Sequence, residues 1–377
     1  MKIVDEYFIK KAEKVSFVQL KRGAKINVDN YTIDDKIPLP IITDTLVEEI
    51  KEGSLQEELQ MAHIVDGIIY ILGIDKDFRY KEEYKNILYN YNSKIENYIL
   101  YRGLGLAEKE RLEEASIVFR ALVNLNPKNV EGLFNYALSL EDIGKKYIDM
   151  DNKDKGEAFL LEATNLMETI LDIEENFPLA YYKLGYYYKY FQQFQKSKLI
   201  WEKYLKLDED PERLNEIREE LHLIEDDANY EVGINYLTIG QYERALEKLM
   251  PLSYKYEEWW NIFYLVGLAY KGLGEYEEAI DFFYKALDLG GTDVNIYNEL
   301  GICLYLVGNI KEAISIFGQG INQNNKDYWI IFNRGLAYLK LGIMDKAKKD
   351  IEKAYKLNPN DDIVKDHYEK IKGIFKR

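Results

Sequence analysis

Cysteine, histidine and proline are nearly missing from this chain. Cys303 is the one cysteine in 377 residues, which excludes an internal disulfide and any thiolate cluster around a metal. It falls on the apolar side of a helical pattern, where a free cysteine acts as a small buried hydrophobe. The three histidines, His63, His222 and His367, are far apart in sequence, so spacing assembles neither a zinc set nor a Cys-His pair. Seven prolines leave most of the chain free to be helical. No apolar run approaches the roughly 18 residues that span a bilayer, and no apolar stretch ahead of a cleavage site marks a secretory leader. No membrane partner is predicted, and a cytoplasmic location is expected.

Positive charge is also in deficit, with 50 Lys and Arg against 66 Asp and Glu and a net charge of −16. A body this acidic repels a phosphate backbone, so nucleic acid is not an expected partner. The imbalance is uneven: residues 1–25 carry seven basic side chains and three acidic ones, whereas Asp208 to Glu231 holds eleven acids against Arg213 and Arg218. Such runs ordinarily form solvated helix faces. Gly272-Leu273-Gly274 and Gly290-Gly291 read as turns between helices, and no glycine loop for phosphate is found. With no catalytic residues, metal ligands or cofactor site to name, the chain is read as non-enzymatic. Its richness in Lys, Ile, Asn and Tyr fits an AT-rich bacterial genome.

What the sequence has in quantity is periodicity. Gly233, Gly267, Gly301 and Gly335 stand 34 residues apart, and Ala245, Ala279, Ala313 and Ala347 follow each by twelve. An uninterrupted ladder of this kind marks tandem structural repeats. The stretch Leu265-Val266-Gly267-Leu268-Ala269-Tyr270, followed by Ala279, Phe283 and Ala286, resembles the tetratricopeptide repeat (TPR) with its G-x2-Y and A-x3-F-x2-A frame, and the last repeat keeps the closing Pro359. The resemblance implies an all-α fold: a right-handed α-solenoid of about seven TPR helix pairs with a C-terminal capping helix and a mainly helical N-terminal region. It also implies an interaction scaffold with a protein or peptide partner.

The frame divides 96–361 into repeats 96–129, 130–177, 178–211, 226–259, 260–293, 294–327 and 328–361. In the second, Ala163 follows Ala137 by 26 residues where twelve is usual. The fourteen extra residues are about four helical turns, so a hairpin absorbs them as two turns on each arm without losing phase. A leader helix is expected at 212–225, with Leu214, Ile217, Leu221 and Ile224 on one stripe. A capping helix is expected in 362–377, with Ile363, His367 and Ile371 turned inward. Residues 1–95 do not obey the frame. There a helix at 2–14 is expected, then an extended stretch from Phe17 to Ile42 in which Arg22-Gly23 turns a hairpin and Pro38 and Pro40 exclude helix. Helices at 43–52, 54–73 and 80–94 follow, the first two opened by capping boxes Thr45 to Glu48 and Ser54 to Glu57.

The family binds peptides along the first helices of its repeats. Position five carries Phe134, Tyr182, Tyr230, Tyr264, Asn298 and Phe332; position nine carries Tyr186, Ile234, Leu268, Ile302 and Leu336. Members that clamp a C-terminal carboxylate use Lys and Asn at these places, a pattern absent here. An apolar and aromatic groove suits an amphipathic or hydrophobic segment, from a partner or from residues 15–42 of the chain itself. A second reading makes the repeats a peptide-responsive regulator that controls an N-terminal effector segment.

Overall fold

The glycines of the ladder stand where two helices touch. In the computed structural model, which describes residues 3–44 and 60–374, a Cβ added to Gly267 would lie 2.6 Å from the Phe283 ring. One on Gly301 would lie 2.4 Å from Phe317, and one on Gly233 2.5 Å from Leu249. Carbon atoms pack at about 3.5–4.0 Å, so only glycine lets the aromatic or leucine side chain of the second helix reach the backbone of the first. The laddered alanines are fully buried at the same seams.

The loop within each pair also repeats. Gly240, Gly274, Gly308 and Gly342 all have positive φ, from 72° to 94°, which glycine adopts without cost. The corresponding places upstream are filled by Glu110 (φ 58°), Asp151 (60°) and Gln192 (56°). Each frame from 260 onward ends in an aspartate that caps the next helix: Asp293 accepts from the Asn295 amide at 2.9 Å, Asp327 from Ile330 at 3.1 Å and Asp361 from Val364 at 3.0 Å.

The chain forms two compact units, 1–219 and 220–377. The first opens with α1 (Ile3–Ile9), a 3-10 helix (Lys10–Lys14) and four short strands, β1 (Val15–Val18), β2 (Ile26–Val28), β3 (Tyr31–Ile33) and β4 (Leu39–Ile42). Then come α2 (Met61–Ile74) and α3 (Lys81–Tyr91), and the hairpins α4 (Ile95–Glu108) with α5 (Leu112–Leu125), α6 (Val130–Asp149) with α7 (Lys153–Ile173), and α8 (Pro178–Tyr190) with α9 (Phe194–Tyr204). Helix α10 (Pro211–Leu223) carries the boundary between the units and buries Ile217.

The strands pair antiparallel, β1 with β4 and β2 with β3. The hairpin turn is Asp29-Asn30, with Asp29 at φ 47°, and not Arg22-Gly23, which makes only a local turn closed by the Ala24 amide on the Lys21 carbonyl at 2.8 Å. Aspartate tolerates the left-handed region well enough to serve. The expected first helix is shorter than 2–14, ending its α-helical part at Ile9. The two capping boxes lie outside the described residues, as does the chain between 45 and 59.

This N-terminal segment is built into the core. Phe8 and Ile33 are fully buried and Leu39 nearly so. Strand β4 lies against α2 so closely that a Cβ on Gly67 would meet the Pro40 carbonyl oxygen at 2.0 Å. Val28, Ile33, Ile37, Leu39 and Ile41 thus commit residues 28–41 to the core of their own unit, while Phe17 and Val18 of β1 are exposed. The guanidinium of Arg120, nearly buried, ties α1 down: it donates to Asp5 and to the Gly73 and Ile74 carbonyls at 3.0 Å, and lies 4.6 Å from the Phe8 ring centre.

The inserted residues do lengthen the second hairpin. Helices α6 and α7 have 20 and 21 residues where most others have 13 or 14, an extension of about 9 Å at 1.5 Å per residue. Tyr147 and Phe159 stack across it at 5.7 Å. The extension is not a bare spur, because Tyr7 of α1 packs edge-on against Phe159 at 5.2 Å and Tyr147 at 6.4 Å.

The C-terminal unit is a run of hairpins, α11 (Glu225–Thr238) with α12 (Tyr242–Lys255), α13 (Trp260–Leu273) with α14 (Tyr276–Asp288), α15 (Val294–Leu306) with α16 (Ile310–Gln323), and α17 (Tyr328–Lys340) with α18 (Met344–Leu357). Helix α19 (Asp362–Ile374) closes it. Its buried side is centred on Val364 and Ile371, while Ile363 is 54% exposed. Of the expected inward residues Ile371 is buried and His367 half-buried, and only Ile363 is displaced, its place taken by Val364.

Candidate functional site

In the C-terminal unit, the first helices of the hairpins bring the position-nine side chains Ile234, Leu268, Ile302 and Leu336 to a half-buried state. Each directly follows a buried motif glycine, Gly233, Gly267, Gly301 or Gly335, yet is itself half open, so it lies at the edge of the core with one flank free. Ile302 and Leu336 share a hollow of about 190 Å³ with Tyr305, Leu306, Phe317 and Asn333. Leu306 on its rim is 50% exposed.

Polar groups are set along the same row. Asn333 donates to the Asn298 side-chain oxygen at 2.8 Å, Lys271 pairs with Glu299, and Asn261 donates to the Tyr230 hydroxyl. Tyr230 also stacks on Trp259 at 4.7 Å. Burial, with the Glu299 and Asp293 charges, pushes the Tyr264 hydroxyl above its usual range. These phenols stay protonated at neutral pH and serve as hydrogen-bond donors. The surface therefore offers apolar contact with a few fixed donors and acceptors, the usual make-up of a recognition surface.

Asn261, Glu299, Asn333, Lys271, Tyr305 and Leu306 were not singled out by the sequence reading. They occupy positions two, six, twelve and thirteen of their frames, so the same periodicity would have found them.

Phe332 is not part of an open surface. It is 1% exposed, with Trp329 at 5.6 Å and the His367 ring of α19 at 5.2 Å. At the last hairpin the capping helix covers position five, which corrects its assignment as groove lining. Phe134, in the N-terminal unit, packs against Phe177 at 5.4 Å. Tyr182 and Tyr186 cross at 5.2 Å and both give their hydroxyls to Glu216 of α10. Their hydroxyls are thereby raised, first by burial and then by that carboxylate.

Residues 328–361 match one sequence model of the tetratricopeptide repeat, and residues 261–289 match another. Together with the 34-residue ladder and the helix hairpins that carry it, these matches make the chain a tetratricopeptide-repeat protein with a helical solenoid fold. Such proteins generally mediate protein–protein interactions. Similar solved structures include YrrB, a TPR protein with an unusual peptide-binding site, at 17% identity and a TM-score of 0.28 over 67% of this chain and 97% of that one. Others are the Cut9–Hcn1 hetero-tetramer of the APC/C, at 15% identity and 0.39 over 87% and 66%, and MamA from Desulfovibrio magneticus RS-1, at 22% and 0.32 over 51% and 96%. No curated protein matches the chain. Among the described residues no helix is long and apolar enough to cross a membrane.

Proposed function

We propose that the chain is a non-enzymatic interaction scaffold whose C-terminal unit receives an amphipathic segment of a protein partner. The row Tyr230, Ile234, Tyr264, Leu268, Ile302 and Leu336 supplies the apolar contact, and Asn261, Asn298 and Asn333 supply hydrogen bonds. The observation that carries this reading is the hollow between Ile302 and Leu336, apolar on its walls and with the Asn298–Asn333 pair beside it. Each large side chain that a partner buries there contributes about 1.5–3 kcal/mol. The regulator reading gains no support, since the described part of its effector segment is bound into the core through Phe8, Ile33 and Leu39.

The test is selection of phage-displayed 16-residue peptides on the full chain, followed by affinity measurement on Ile302→Asp/Leu336→Asp. The selected peptides should carry apolar residues at helical or alternating spacing, and the double variant should lose at least a hundredfold in affinity while keeping its helical circular dichroism. Undiminished affinity in that folded variant would move the binding surface elsewhere.

A further inference from the structure

The 14 inserted residues do more than lengthen a hairpin. Their turns form one wall of a concavity of about 430 Å³ in the N-terminal unit. Ile148 and Leu160 supply its aliphatic side; Tyr182, Tyr186, Tyr187 and Tyr190, all from α8, supply an aromatic side. Ile148 is the nineteenth residue of α6, beyond the length of an ordinary helix of this frame, so the pocket exists only because of the insertion.

Its charges are arranged in two tiers. At the floor Glu141, 6% exposed, accepts from Lys145 at 2.6 Å, Lys183 at 2.8 Å and the Tyr187 hydroxyl at 2.8 Å. Burial works to raise the Glu141 carboxyl, but these three donors outweigh it and hold the group ionised. Both lysines are thus engaged with one carboxylate. At the rim Asp149 is exposed, and Glu216, just beyond the lining, accepts the hydroxyls of Tyr182 and Tyr186. Asp142 adds a further negative charge beside Glu141. Among the lining residues Glu141 and Asp149 balance Lys145 and Lys183, and Glu216 adds a negative charge beside Tyr182 and Tyr186.

An anion would meet the two rim carboxylates, and a purely apolar side chain would desolvate them without return. A planar cation on an aliphatic stem satisfies every wall: methylenes on Ile148 and Leu160, the cation against tyrosine rings, and paired N–H groups to a carboxylate. We propose that this pocket takes the side chain of an arginine carried by a basic peptide segment, with its guanidinium among Tyr182, Tyr186 and Tyr190 and paired with Glu216 and Asp149. The site rests on different residues and different chemistry from the groove of the C-terminal unit and stands independently of it.

The experiment is methyl NMR of the full chain labelled at Ile, Leu and Val, with the Ile148 signal assigned through Ile148→Val. N-acetyl-arginine amide is titrated in parallel with N-acetyl-citrulline amide, which has the same shape without the charge, and N-acetyl-phenylalanine amide. Arginine amide should shift Ile148 and Leu160 saturably, at least fivefold more tightly than the citrulline compound. Glu216→Gln/Asp149→Asn, both at exposed positions, should bring arginine down to the level of citrulline. Equal binding of citrulline, tighter binding of the phenylalanine compound, shifts spread over the acidic surface without saturation at Ile148, or an arginine affinity unchanged in the double variant would each overturn the proposal.

Discussion

Gly301→Ala puts one methyl group into the seam between α15 and α16. The new Cβ would stand 2.4 Å from one Phe317 ring carbon and 2.6 and 2.7 Å from two others. Phe317 is 1% exposed, so the ring must move by about 1 Å inside a packed core to restore contacts of about 3.5 Å. Overpacking of this kind costs about 1–3 kcal/mol. Alanine returns about 1 kcal/mol through its higher helix propensity, leaving a net loss of about 0–2 kcal/mol. The matched control is Gly318→Ala in α16, where the added Cβ meets only the Arg334 Nη1 at 3.7 Å. It keeps the propensity gain without the clash and should stabilise by about 0.5–1 kcal/mol. The two variants should therefore differ by about 1–3 kcal/mol, or roughly 2–10 °C in Tm for a unit of this size. Thermal unfolding of the full chain by calorimetry reads the difference. Adding Phe317→Leu to each background supplies a coupling energy, expected to be above about 0.5 kcal/mol with Gly301→Ala and near zero with Gly318→Ala. A Gly301→Ala protein as stable as the Gly318→Ala protein would refute the claim that the ladder exists for helix contact.

Three further outcomes are expected. Arg120→Met leaves the Gly73 and Ile74 carbonyls without this donor and leaves the Asp5 carboxylate with Lys76 alone; it should destabilise the N-terminal unit by about 3 kcal/mol and expose residues 10–25 to limited proteolysis, and unchanged resistance to protease would show that Arg120 does not hold α1. Gln192→Gly relieves a left-handed residue at φ 56°, a cost of about 1–2 kcal/mol that glycine's greater unfolded freedom partly offsets, so the urea midpoint should rise; a fall would mean that the Gln192 side chain is needed. The Cys303 thiol, pushed up to about 12 by burial, should ignore a disulfide reagent in the native protein and react once in denaturant. Because the folded thiol keeps its proton while the unfolded one loses it near pH 9, its contribution is whole below that pH and declines from there to about pH 12. Cys303→Ala should flatten part of the alkaline decline, measured as urea stability between pH 8 and 11.

How far the sequence could be read depends on whether a contact repeats. Gly301 with Phe317, or Asp327 with the following helix, recurs every 34 residues, and recurrence turns one contact into a legible pattern. The half-buried state of position nine recurs in the same way. Phe332 was misjudged because its environment breaks the repeat: its neighbour is a capping helix, and a solitary helix lies outside the frame, as Val364 in place of Ile363 also shows. The strands of residues 15–42 are three or four residues long. Neither β1 nor β4 alternates polar and apolar residues in the way a half-buried strand does, so only their prolines and glycine could be read.

The pocket of α6, α7 and α8 was legible in one part only. Spacing alone showed that fourteen residues had been added and that helical phase survived. It could not show that Glu216, thirty residues beyond Tyr186, would return to accept the hydroxyls of Tyr182 and Tyr186. The preserved phase is nonetheless what makes such a pocket possible. A whole number of turns extends both arms while keeping Phe159 and Tyr147 facing each other, so the residues below the insertion need no repacking. Side chains on the added turns, Ile148 and Asp149 among them, are then released from the 34-residue constraint that fixes the rest of the solenoid. A repeat frame leaves little room for an individual site, and an insertion in phase is where one can arise without loss of the frame.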